Sequence, residues 1–181
     1  MSGTVFFGSF YITGEYESWF LPAHYIFSIA VIGIYGGAVC PFIATLSLAG
    51  WLTLLAVVFG IVLSIRLILD KRILSLLPYE SQTRTQFILE MALFFTAGFA
   101  ITAYNMVFHD FPAGSGAKMI LGCLALGFFA GADLALERER NISEALTREG
   151  REIRLEDKYF PLTAKFSLVA ILTLLIMTAQ T

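Results

Sequence analysis

Charge is what this chain has least of. Only 14% of its 181 residues are Asp, Glu, Lys or Arg, while 57% are hydrophobic. Water-facing domains are nearer a quarter charged and half apolar. The deficit excludes a single soluble domain and implies a chain whose solvent is largely lipid. Cysteine and histidine are also scarce, at two each. Cys40 and Cys123 form no CxxC or Cys/His spacing, so no metal site is expected. His24 and His109 belong to opposite membrane faces, which argues against a bis-histidine haem. Retinal would need a lysine deep in a span, but Lys165 lies near a span end and Lys118 lies outside. There is no Gly-rich phosphate loop, no HExxH and no GxSxG. Asp70 and Asp110 are isolated, unlike the aspartates of a lipid transferase. No catalytic residue and no cofactor are therefore expected. The basic residues alternate with acids, which gives nucleic acid no binding stripe.

What the chain does have is long apolar runs: His24–Leu46, Trp51–Leu69, Phe87–Phe108, Met119–Leu136 and Pro161–Thr178. A helix needs about 20 such residues to cross hydrocarbon. The runs are continuous rather than alternating, which points to helices and not to a barrel. The expected fold is an all-α polytopic membrane helical bundle of five transmembrane helices, at about 24–46, 51–69, 87–108, 119–137 and 161–181. Ser47–Gly50 is the turn between the first two. Residues 1–22 carry Glu15 and Glu17 and no basic n-region, so they are no signal peptide. Trp19-Phe20-Leu21-Pro22 reads as an interfacial foot before the transmembrane domain of 23–181.

Short loops rich in Lys and Arg stay in the cytoplasm. Arg66, Lys71, Arg72 and Arg84 flank the loop between spans two and three. Arg138, Arg140, Arg148, Arg151, Arg154, Lys158 and Lys165 flank the segment between spans four and five. The expected topology is N-in/C-out in the cytoplasmic (inner) membrane, with Lys118 the one basic residue outside. Asn141-Ile-Ser143 matches a glycosylation sequon but falls on the cytoplasmic side. Because no polar tail follows beyond Gln180-Thr181, the chain is expected to be the front part of a longer protein or a domain cut from one, the alternative being a complete five-span protein with a frayed end.

Span four does not stop at the headgroups. From Met119 to Glu149 there is no helix breaker, and Gly150 is the first stop signal. Such a helix is roughly 46 Å long and extends span four into the cytoplasm as a stalk over 138–150, with a linker at 151–160. Arg140–Glu144, Glu144–Arg148 and Arg148–Glu152 are four apart, where exposed partners meet. Ile142, Ala145, Leu146 and Ile153 leave a thin apolar stripe. The stalk is either an ordinary solvated extension or a lever that delivers motion of span four to the cytoplasm.

Ionisable residues within spans are functional candidates. Arg66, Glu90 and Asp133 lie at similar depth, about one turn inside the cytoplasmic boundary, and form a candidate ion-pair network. The alternative is that Arg66 snorkels and the acids face interfacial water. Tyr35, Cys40, Tyr104, Asn105 and Cys123 are candidates for an outward pocket that takes a small hydrophobic ligand with one polar handle. The alternative is that they hydrogen-bond to neighbouring helices. Glu90, Phe94, Ala97, Ile101 and Asn105 form one semi-polar stripe expected to face protein. Gly33/Gly37 and Gly127/Gly131 are GxxxG pairs that permit close helix packing.

Two stretches, GADLALERERNISEAL and KYFPLTAKFSLVAIL, resemble the multi-span N-terminal input regions of bacterial signalling proteins. There a charged cytoplasmic helix precedes the last spans, which lead through a HAMP linker to a nucleotide cyclase, kinase or related output domain. The resemblance covers the last third best and implies a sensory membrane module that detects a membrane-accessible or hydrophobic signal. Its partners would be the lipid bilayer and either a second copy or another membrane protein. A non-catalytic structural subunit of a larger membrane complex is the alternative.

Overall fold

The computed structural model describes residues 21–37 and 43–148. Four α-helices account for most of them: α1 (Leu21–Gly37), α2 (Leu48–Arg72), α3 (Tyr79–His109) and α4 (Ala113–Arg148). Short 3-10 turns at Ile43–Thr45 and Leu74–Leu76 lie before and after α2. No strand occurs among the described residues. Three helices, α2, α3 and α4, are long and apolar enough to cross a membrane, and α1 is a shorter apolar helix. The described residues are thus all-helical, and the chain is a membrane protein. The fifth run, the linker, Cys40, Gly150 and the residues before Leu21 lie outside the described residues.

The helix boundaries follow local chemistry. Ser47 caps α2, its Oγ accepting from the Gly50 amide at 3.2 Å. Gly50 therefore belongs to the first turn of α2 and not to the connecting turn. The apolar run 24–46 is divided, with helix described to Gly37 and a 3-10 turn at Ile43–Thr45. Leu21 and Pro22, read as part of the foot, lie in α1, where an early proline is tolerated. Helix α3 starts two turns before its apolar run, because Gln82, Thr83 and Gln86 are buried despite being polar. It ends at Asp110, which adopts a left-handed φ of 52° and returns its amide to the Asn105 carbonyl. Through Asp110, Phe111 and Pro112 the chain reverses directly into α4, so α3 and α4 form an antiparallel hairpin.

Helices α3 and α4 pack closely against each other, and small residues make it so. A Cβ on Gly127 would lie 2.5 Å from Phe94 Cβ, and one on Gly116 would lie 2.4 Å from Thr102 Cγ2. Both distances are shorter than atoms tolerate, so the two backbones approach only because these side chains are absent. Gly131 faces Glu90 and Phe87 in the same seam. Gly33 faces the Leu52 side chain. Helix α2 buries Trp51, Leu55, Phe59, Val62 and Arg66 on one stripe and exposes Val57, Ile61, Ile65 and Ile68 on the other. This inside-out pattern suits a helix with lipid on one side. The rings of Tyr25, Phe59 and Phe94 meet at centroid distances of 5.3 to 6.3 Å, closing the core above the polar residues described next.

Candidate functional site

The stripe on α3 carries polar residues inward at successive turns: Gln82, Gln86 and Glu90. Glu90 is 0% exposed, and facing it on α2 is Arg66, 1% exposed. Arg66 Nε donates to Glu90 Oε1, and the Tyr25 hydroxyl of α1 donates to Glu90 Oε2 at 2.9 Å. Both carboxylate oxygens are therefore occupied. Arg66 Nη1 reaches Asp70, one turn along α2, at 3.1 Å. The same Asp70 oxygen accepts from Arg138 Nη2 of α4 at 2.8 Å, and Arg138 Nη1 donates to Gln82 Oε1 at 3.2 Å. Six side chains from all four helices thus form one connected hub. Its two guanidinium groups and two carboxylates balance in charge, the condition under which buried ions are tolerated.

The local sequence accounts for the placement. Arg66 continues the 51-55-59-62 stripe of α2, so it points inward because its helix face does. Arg138 lies four residues after Leu134 and seven after Gly131, on the buried face of α4. Within Glu137-Arg138-Glu139-Arg140, Arg138 turns in while Arg140 turns out to pair with Glu144 at 3.0 Å. The 36-residue α4 is about 54 Å long, well beyond the roughly 30 Å of hydrocarbon. The hub grips it where its apolar part gives way to the charged part. Among the described residues, Oε1 of Gln86 and Oγ1 of Thr83 are buried beside this region without a hydrogen-bond partner.

Of the three residues first grouped as a network, Arg66 and Glu90 are in direct contact and Asp133 is not part of the hub. Asp133 lies on the other flank of α4, where His24 Nε2 of α1 donates to its Oδ2 at 2.8 Å. Tyr25, Asp70, Gln82 and Arg138 complete the hub and were not singled out from sequence. The i,i+4 spacing of Arg66 and Asp70 was the available signal. The five residues of the stripe on α3, Glu90, Phe94, Ala97, Ile101 and Asn105, are all buried.

Of the outward pocket candidates, the four described ones, Tyr35, Tyr104, Asn105 and Cys123, do not share one environment. Tyr35 and Tyr104 are exposed, Tyr104 stacking on Phe108, while Asn105 and Cys123 are sealed in the α3–α4 seam. A cavity of about 610 Å³ lies between α1 and α4 beside His24 and Asp133, and none of these four described residues lines it.

Three helices long and apolar enough to span a membrane, joined by a charge-balanced hub, define a helical membrane module. The MASE10 family model matches residues 24–180, and the chain belongs to that family, one of the membrane-associated sensory domain families of signalling proteins. No curated protein and no solved structure matches it.

Proposed function

We propose that this chain is the input module of a membrane signalling protein, in which a membrane-accessible signal changes how α1 sits on the hub and α4 carries the change into the cytoplasm. The observation that carries this reading is the hub itself. It ties α1, α2 and α3 to Arg138 at the base of the charged end of α4, so a shift of any one helix is felt there. Coupling of this kind needs a stiff element and a second arrangement to move to. Helix α4 supplies the first, and exchange of the hub's hydrogen bonds supplies the second.

In the full reading, the chain crosses the inner membrane five times with its N-terminus inside, and it passes its signal to a HAMP-linked cyclase or kinase domain as a homo-oligomer. The basic residues around Arg66–Arg84 and Arg138–Arg148 support the orientation. The test has two parts. Single cysteines at Ser143 and Ser115 are labelled from either side of sealed vesicles, and Ser143 reacts from the cytoplasmic side and Ser115 from outside. Arg138→Met is then introduced into the Ser143 variant. A changed labelling rate at Ser143 without loss of insertion supports coupling through the hub. The reverse sidedness, or an unchanged rate, leaves a structural subunit as the better account.

A further inference from the structure

Among the described residues, the cavity between α1 and α4 is lined mostly by apolar side chains and by one acidic one, Asp133. Phe27 of α1 and Leu126, Phe129 and Leu136 of α4 supply the apolar wall. At about 610 Å³ it falls in the size range of small-molecule sites, roughly 300–1,000 Å³. The Asp133 side chain is 57% exposed and meets His24 Nε2 at 2.8 Å. An ionised carboxylate only accepts, so His24 Nε2 is the donor in that bond. A carboxylate beside lipid and apolar side chains attracts a cation more strongly than one in water.

We propose that this groove binds an amphiphilic amine drawn from the membrane, its apolar body on the phenylalanine and leucine wall and its ammonium on Asp133. A zwitterionic phospholipid fits less well, because among the described residues no Lys or Arg lines the groove to meet its phosphate. The proposal rests on the sensory reading above and supplies its ligand class. An ammonium that engages Asp133 competes with His24 for the carboxylate. His24 immediately precedes Tyr25, whose hydroxyl bonds Glu90 at the centre of the hub. Occupancy of the groove is thereby transmitted to the hub through adjacent residues of one helix.

The experiment uses the full chain in vesicles and a dodecylamine probe carrying a photoreactive diazirine in its tail, with labelled peptides mapped by mass spectrometry. Labelling is expected on the α1 and α4 peptides that contain Phe27 and Phe129. Unlabelled dodecylamine should compete roughly tenfold or more better than dodecanoate or dodecanol, as expected for one charge-assisted contact. Asp133→Asn should lower labelling by a similar factor. Ala23→Phe, which fills the groove from an exposed position, should lower it while leaving thermal stability unchanged. Equal competition by the amine and the acid, or full labelling of Asp133→Asn, overturns the proposal. Labelling that appears only in Lys165→Met also overturns it, since the cation answering Asp133 would then be the chain's own. Amine-selective binding with unchanged labelling at Ser143 would instead refute the relay and leave the site standing.

Discussion

Glu90→Gln is the most direct probe of the hub. The substitution keeps the shape of the side chain and removes the charge that Arg66 Nε and the Tyr25 hydroxyl both address. Breaking a buried ion pair by removing one partner costs about 3–5 kcal/mol, because the other charge stays buried. Here the lower end applies. Arg66 keeps Asp70 at 3.1 Å, and the new amide still offers one acceptor oxygen. For a domain of this size, about 3 kcal/mol corresponds to a fall of roughly 6–12 °C in thermal midpoint. The assay is thermal unfolding in detergent, followed by near-UV circular dichroism at one fixed scan rate. Arg66→Met is measured alone and together with Glu90→Gln. The double variant should recover about 0.5–3 kcal/mol relative to the sum of the singles, the range for residues in direct contact. A double variant whose loss equals the sum would refute direct coupling, and the hub with it.

Further expectations follow from neighbouring geometry. Arg138→Met removes the α4 arm of the hub and should cost about 2 kcal/mol or more, whereas Arg140→Ala breaks an exposed pair and should change stability by less than about 0.5 kcal/mol. The two substitutions, two residues apart, are compared in the same melt. Gly127→Ala forces a Cβ to within 2.5 Å of Phe94 Cβ and should destabilise by about 1–3 kcal/mol. Gly122→Ala meets nothing within 4 Å and should be neutral or stabilising, so equal effects at the two positions would contradict the close α3–α4 seam. Truncating Tyr25 to Phe removes one hydrogen bond to a buried carboxylate and should lower stability by about 1–3 kcal/mol, read in the same assay.

Much of the architecture was legible because lipid imposes a simple rule. A backbone in hydrocarbon must satisfy its own hydrogen bonds, so a long apolar run announces a helix. Apolar content and the stripe on α3 therefore identified a helical membrane bundle and the buried face that carries Glu90, Phe94 and Ala97. The continuous helix through Asp133 and into the Glu-Arg run was visible too, since nothing there breaks it. Hydropathy failed where burial is polar. The first two turns of α3 were missed because Gln82 and Gln86 face protein rather than water.

The sequence by itself thus determined the solvent, the helical class and the continuity of α4, all properties of one helix and its surroundings. Only the tertiary structure decided which charges meet. Depth along a span made Arg66, Glu90 and Asp133 equivalent candidates. Rotation about the helix axis separates them, placing Arg138 on the hub flank of α4 and Asp133 on the flank that meets His24. That azimuth is set by how neighbouring helices pack, here by the glycines that bring α4 against Phe94 and Glu90.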